Sequence, residues 1–381
     1  MAGPWNTFVE GDNLDVMRTM ADESFDVAYL DPPYNTGSKF AYADRRSHDA
    51  WTEFMRPRLE EVRRLLKPTG SVWVSIDDHE QARLRLLLDA VFGERQFLAQ
   101  IVVNLNARGR QLGRGFATAH EYLIVHARDA RLCTLDASLT ESVDPRDFPQ
   151  VDADGRRFRL LPLRNTNKRF NPRTSPTLHF PLYGDSRTGR VATTPFDGAE
   201  EIWPVFGDGT PAVWRWSVPR VDAGADDLVC RVVRGVRGDR VDVAQRDWWH
   251  AGRRKKLTTL WRHEEVGSTD TAVAELKALC GHTFESPKPT GLVRRILATV
   301  GPDAAVLDPF AGSGTTGHAV ALANVADGGS RTCTSIQSGE PVRSGSRADE
   351  AGLAMLADIT RRRLQAVDAT LGGGLSLSAV D

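Results

Sequence analysis

Two short segments near opposite ends of this 381-residue chain carry residues whose types and spacing can do chemistry. Asp31-Pro32-Pro33-Tyr34 directly follows the apolar run Phe25-Asp26-Val27-Ala28-Tyr29-Leu30. That run reads as a buried strand, and the carboxyl end of such a strand is where open α/β sheets bind ligands. Proline fixes φ and has no N–H, so the Pro32 carbonyl is held in one direction as a free acceptor. With the Asp31 carboxylate beside it, Pro33 as a second stiff residue and Tyr34 exposed, the tetrapeptide can grip the amino group of a flat heterocycle and stack on its ring. The second segment, Val306-Leu307-Asp308-Pro309-Phe310-Ala311-Gly312-Ser313-Gly314-Thr315-Thr316-Gly317, reads as a short strand, a glycine turn and a helix beginning near Thr315. Its glycines let backbone N–H groups approach a ligand, and the helix N-terminus adds partial positive charge. Gly312, Gly314 and Gly317 match the spacing of the dinucleotide fingerprint, which alone is a weak signal. A nucleoside-triphosphate loop is excluded more firmly, since no lysine follows the glycines. Each segment alone is an ordinary strand-to-helix turn; that reading does not explain why both occur in one chain.

The elements that carry these segments alternate. Asn6–Glu10 is a short strand ending in Gly11-Asp12-Asn13, after which Leu14, Val16, Met17 and Met20 mark one helix. A flexible stretch is predicted from Asn35 to Asp49. Phe54, Leu59, Val62, Leu65 and Leu66 then stripe a helix that stops at Lys67-Pro68-Thr69-Gly70. Ser71–Ile76 is a buried-type strand closed by Asp77-Asp78, a helix from Glu80 to Phe92 leads to a strand Phe97–Val103, and His120–Val125 is the last strand of the block. Such alternation predicts an α/β fold with a doubly wound, mostly parallel sheet. From about Asp129 to Thr258 it fails. Short strands are predicted there at Leu178–Tyr183, Val213–Val218, Val229–Val233 and Val241–Val243, between turn-rich pieces. The expected division is therefore 1–128, 129–258 and 259–381.

Composition sets wide bounds. A chain of this length buries a large core and is expected to hold two domains. The net charge of −1 gives no global attraction to nucleic acid, so any such cleft needs segregated charge. Cys133, Cys230, Cys280 and Cys333 are far apart, and the nine histidines show no ligand spacing. Reduced thiols in a cytoplasm and no metal site are expected. No signal peptide or membrane-length apolar run is evident.

Asp31-Pro32-Pro33-Tyr34 together with the Gly312 loop resembles the amino-group DNA methyltransferases. The resemblance sharpens over Glu10-Gly11-Asp12-Asn13-Leu14, Asp31 to Gly37, Pro57-Arg58-Leu59, Ser75-Ile76-Asp77-Asp78, His120-Glu121-Tyr122, Leu260-Trp261, Phe284-Glu285-Ser286-Pro287-Lys288-Pro289 and the glycine loop. In content and order these runs are similar to the methylation subunits of type III restriction-modification systems, over roughly residues 6 to 365. Target motif first and cofactor loop last is the order of the beta group, which implies an S-adenosylmethionine-dependent Rossmann-like fold with permuted motifs, one sheet assembled from both chain ends, and an inserted β-rich recognition domain.

The resemblance implies a site-specific enzyme that moves a methyl group from S-adenosylmethionine to adenine N6 in double-stranded DNA, by base flipping, in a prokaryotic cytoplasm. Asp31, Pro32, Pro33 and Tyr34 would form the target site. Asp308, Phe310, Ala311, Gly312, Gly314 and Thr315 would form the cofactor loop, Lys288 and Pro289 would close over it, and Glu340 would bond the ribose hydroxyls. Asp12 is a candidate for the cofactor's adenine amino group or, equally, a helix cap. Arg108, Arg110, Arg114, Lys168, Arg169, Arg253, Arg254, Lys255 and Lys256 are the candidate DNA contacts, with solvated surface as the alternative for each. A homodimer is expected, and a restriction or other defence-system subunit is a candidate partner. Family members commonly carry further segments before the first motif and after the last, which this sequence is expected to lack. Cytosine-N4 methylation and a non-catalytic DNA-binding derivative are the competing readings.

Overall fold

The computed structural model describes residues 4–37, 40–42, 44–106, 109, 115–136, 144–235, 238–250, 256–372 and 374–379. It separates into two compact units: Met1–Leu139 with Lys256–Asp381, and Thr140–Lys255.

The first unit is built on a nine-stranded sheet. Its strand order is Leu260–Trp261, Phe97–Val103, Glu121–Ala127, Leu66–Ile76, Phe25–Leu30, Ala305–Asp308, Thr332–Gln337, Asn6–Glu10 and Leu375–Ala379. Glu121–Ala127 runs antiparallel to both its neighbours; the other pairings are parallel. The expected doubly wound, mostly parallel sheet is therefore present, with strands from the two chain ends interleaved. Val306 pairs with Val27 and Asn6 with Cys333, so the two motif-bearing strands are direct neighbours.

Alternate side chains divide between the two faces. Ala28, Leu30, Val72 and Val74 pack with Trp51, Met55, Leu59 and Leu84 from helices His48–Leu65 and Gln81–Phe92. Val27, Tyr29 and Trp73 pack with Leu292, Val293, Ile296 and Val320 from helices Thr290–Leu297 and Thr315–Asp327. Burial on both faces is what near-continuous apolar strands require.

The sheet departs from the sequence reading in places. The strand predicted from Ser71 starts at Leu66, with a register shift between Phe25 and Val27. Gly70 permits this close approach, because a Cβ there would lie 2.8 Å from the Asp26 carbonyl oxygen. A further edge strand, Leu375–Ala379, pairs with Asn6–Glu10.

The second unit holds a four-stranded antiparallel sheet of Gln150–Val151, Arg157–Pro162, Leu228–Gly235 and Gly238–Trp248, and a three-stranded one of Leu182–Gly184, Val191–Ala192 and Glu200–Ile202. Of the predicted Val213–Val218 strand only a bridge between Trp214 and Arg164 exists. Ser217 and Pro219 instead start the helix Val218–Ala223, where a proline in the first turn costs no hydrogen bond. Leu178 lies in a short 3-10 turn rather than at the start of a strand. The four cysteines are free thiols. Among the described residues, no helix is long and apolar enough to cross a membrane and no cluster of His, Cys, Asp and Glu is placed to hold a metal.

Candidate active site

The strand Phe25–Leu30 delivers Asp31 to a cavity, and the prolines keep the chain beyond it extended. Trp51, fully buried, donates from Nε1 to the Pro33 carbonyl at 2.7 Å and fixes the tetrapeptide from below. The chain then turns at Asn35, which has φ +62°. Asn is among the few residues that tolerate this region. Buried Asp44 secures the turn by accepting from Asn35 N at 2.7 Å, Thr36 N at 2.9 Å and Thr36 Oγ1 at 2.6 Å.

Within the cavity Asp31 belongs to a charged cluster. Tyr34 Oη donates to Asp31 Oδ1 at 2.9 Å, and Lys288 Nζ lies 3.1 Å from the same oxygen. Both donors also reach Glu121 Oε2, at 3.3 Å from Tyr34 and 3.2 Å from Lys288. The ammonium sits 4.7 Å from the centre of the Tyr34 ring. Burial works to lower the Lys288 pKa, but Asp31 and Glu121 outweigh it and hold the ammonium above its ordinary value. Burial raises the Glu121 carboxyl, an effect that Lys288 opposes. Burial and the Asp31 charge push the Tyr34 hydroxyl up, so it stays a donor.

The neighbouring strand Ala305–Asp308 opens into the glycine loop. Ala311 N donates to the Ile336 carbonyl at 3.1 Å and Gly312 N to Gln337 Oε1 at 2.8 Å, while Thr360 Oγ1 donates to the Gly312 carbonyl at 2.6 Å. Gly312 and Gly314 have φ of +53° and +78°. A Cβ on Gly317 would fall 2.5 Å from Asn6 Oδ1, so the helix Thr315–Asp327 packs directly on the strand Asn6–Glu10. Beneath the loop, fully buried Arg363 donates from Nη1 to Thr315 Oγ1 at 2.9 Å and Ser313 Oγ at 3.2 Å, and its Nη2 lies 3.1 Å from His318 Nδ1. Burial, reinforced by Arg363, pushes His318 down to about 3 and keeps it a neutral acceptor. Burial pushes the Asp308 carboxyl up to about 7.

Asp31, Pro32, Pro33, Tyr34, Asp12, Asp308, Phe310, Ala311, Gly312, Thr315, Lys288 and Glu340 line this one cavity of about 250 Å³. Gly314 shapes the loop as the residue before the helix, and Pro289 caps the helix Thr290–Leu297; neither lines the cavity wall. Asp12 does cap a helix: its Oδ1 accepts from Leu14 N at 2.8 Å, and its Oδ2 pairs with Arg58 at 2.9 Å. Lys288 directs its ammonium to Asp31, whereas its carbonyl accepts from Thr315 Oγ1 at 3.2 Å. Glu340 lies three residues past its strand, exposed on the cavity rim. Arg108, Arg110, Arg114, Arg253, Arg254 and Lys255 lie outside the described residues. Lys168 is exposed and paired with Asp208 at 2.6 Å; Arg169 and Lys256 are exposed.

The sequence reading assigned no role to Glu121, Asn13, Arg58, Gln337 or Arg363. The first three lie within or beside the motif runs noted above, but Arg363 sits in Arg361-Arg362-Arg363, which reads as surface charge.

A mostly parallel sheet whose adjacent strands end in a carboxylate-proline-aromatic turn and a glycine loop, both opening onto one cavity, is the arrangement of an α/β ligand-binding site. The chain belongs to the DNA methylase family, whose profile matches residues 25–326. It is 33% identical to the type II methyltransferase M.KpnI of Klebsiella pneumoniae, over 94% of this chain and 86% of that protein. It is 32% identical to the EcoPI Mod subunit of a type III restriction-modification enzyme from Escherichia phage P1, over 95% of this chain, and spans 62% of that subunit. Among solved structures, the PvuII cytosine-N4-specific DNA methyltransferase is similar with a TM-score of 0.44 and 14% identity, over 99% of this chain and 98% of that one.

Proposed function

We propose that the chain transfers a methyl group from S-adenosylmethionine to adenine N6 in duplex DNA. The observation that carries this reading is that Asp31 and the Gly312 loop, far apart in sequence, open onto one cavity. The cavity suits the cofactor: Gly312 and Gly314 hold positive φ without strain, the helix Thr315–Asp327 presents its N-terminus to a carboxylate, and Glu340 on the rim can accept from a ribose diol. Bound there, S-adenosylmethionine supplies an electrophilic methyl group on a sulfonium.

The chain's own residues prepare the acceptor. An adenine amino group is a poor nucleophile because its lone pair is delocalised into the ring. Asp31 and the Pro32 carbonyl, both accepting from that amino group, favour a pyramidal nitrogen with its lone pair directed away from the ring, so catalysis is positioning and electrostatic. Extruding the base costs a few kcal/mol, and Tyr34 stacking returns roughly 1–3 kcal/mol. Thr140–Lys255 reads the DNA word, with Lys168 and Arg169 among its phosphate contacts. The active form is a homodimer, which holds the duplex while one base is flipped. The similarity to type III Mod subunits supports a restriction or defence partner, and action on cellular DNA places the enzyme in a prokaryotic cytoplasm.

Incubation with methyl-labelled S-adenosylmethionine and duplex DNA, followed by nucleoside mass spectrometry, tests the reading. N6-methyladenine is expected; N4-methylcytosine would replace it with the competing one, and no labelled base would reject both.

A further inference from the structure

The target side of the cavity holds a carboxylate, Glu121, that the proposed transfer does not use. Tyr34 Oη and Lys288 Nζ both lie on Asp31 Oδ1, the residue assigned above to the base amino group, and both lie also on Glu121 Oε2. Glu121 Oε1 is buried and has no hydrogen-bond partner among the described residues. Two donors are thus shared between two acceptors, with one acceptor oxygen in reserve.

Resting on the assignment of Asp31 to the target base, we infer that Glu121 is a positioning residue that takes over Lys288 and Tyr34 when the base engages Asp31. A buried ammonium that lost its carboxylate without another in reach would resist the exchange, because an unpaired buried charge is strongly unfavourable. Glu121 turns that loss into a change of partner. The amino group of the base replaces the two donors at Asp31, and they pass to Glu121, whose Oε1 offers the additional lone pairs. The Tyr34 hydroxyl stays bonded throughout, so its ring keeps the orientation needed for stacking. The ammonium remains against that ring, where cation–π attraction supports it. The exchange moves hydrogen bonds and no proton: the two donors change partners as they stand. Glu121 comes from the antiparallel strand Glu121–Ala127 and Lys288 from the segment before Thr290–Leu297, so the device draws on three separate parts of the chain.

Reactivation is the test. Glu121→Ala, Lys288→Met, the double variant and Asp31→Ala are compared for single-turnover methyl transfer to duplex DNA, for S-adenosylmethionine affinity by calorimetry, and for extrusion of 2-aminopurine at the target position. In Glu121→Ala the ammonium has Asp31 as its remaining carboxylate partner and blocks it, so transfer should fall about 100-fold with cofactor affinity little changed. Removing the ammonium in the double variant frees Asp31, and about tenfold of the loss should return. A double variant no faster than Glu121→Ala overturns the handover, since plain structural support predicts no reactivation. Should Glu121→Ala fail to fold, Glu121→Gln poses the same question, because an amide cannot neutralise the ammonium. An active Asp31→Ala would instead remove the assignment on which the handover stands.

Discussion

Asn13 Nδ2 donates to the Pro309 carbonyl at 2.7 Å, joining the first strand's end to the glycine loop across 296 residues of sequence. Its Oδ1 accepts from Arg58 Nε at 2.6 Å. Asn13→Leu keeps the branched outline but leaves a carbonyl and a guanidinium N–H unpaired in a buried place, at about 1–3 kcal/mol. The melting temperature should fall and S-adenosylmethionine should bind about tenfold more weakly, 1.4 kcal/mol per decade. Calorimetric affinity equal to wild type would mean that the loop is held by other contacts.

Asp31→Ala should lower single-turnover transfer by about 100-fold or more, as expected for loss of a main electrostatic contact. Cofactor affinity should be nearly intact, because Asp31 contacts Tyr34 and Lys288 rather than the glycine loop. A rate within a few-fold of wild type would end the acceptor assignment.

Gly314→Trp should abolish cofactor binding. The position has φ +78°, and a Cβ there would meet Thr360 at 3.4 Å, the same residue that secures the Gly312 carbonyl. Isothermal titration with unaltered affinity would displace the cofactor from this loop.

The Asp308 carboxyl, pushed up to about 7 by burial, should leave a signature in stability. Between about pH 4 and 7 the native state holds a proton that the unfolded state has released, so this group's contribution to stability falls as pH rises and is flat above 7. His318, pushed down to about 3 by burial and Arg363, acts oppositely: from about 6.5 down to 3 the unfolded state binds the extra proton, so stability falls with acid. Subtracting the Asp308→Asn denaturation profile from wild type isolates the first slope. A difference that does not decline between pH 4 and 7 contradicts a buried, protonated Asp308.

Exchanging Thr140–Lys255 for the equivalent segment of a related enzyme should change the methylated word while leaving the methylated base the same. Methylation-sensitive sequencing reads both at once. An unchanged word would move recognition into the first unit.

The two chemistry-bearing turns were legible because proline and glycine restrict or free the backbone in ways that sequence states directly, and because apolar runs such as Phe25–Leu30 announce burial on two faces. The helix start at Thr315 was legible for the same reason. Contacts made by pairing across the sheet were not. Glu121 enters the cavity because its strand runs antiparallel between Phe97–Val103 and Leu66–Ile76, and no local pattern encodes that direction. Arg363 is buried while Arg362 is exposed, a distinction set by which face of the helix Leu356–Leu371 meets the loop. The strand Arg157–Pro162 was missed because Arg157 and Arg159 break its apolar pattern. Conversely, the apolar residues of Val213–Val218 suggested a strand where Ser217 and Pro219 begin a helix.

The interleaving of strands from both chain ends has a consequence for biogenesis. Asn6–Glu10 and Phe25–Leu30 leave the ribosome well before the strands that lie between them in the sheet, Ala305–Asp308 and Thr332–Gln337. At 5–20 residues per second that interval is roughly 15–60 s. During it the growing chain displays unpaired strand edges and half of an apolar interior, which exposes it to aggregation and to holding chaperones. Until Thr332–Gln337 has been made, the sheet that carries both chemistry-bearing turns is incomplete, so a message truncated before Gln337 is expected to yield no methyl transfer.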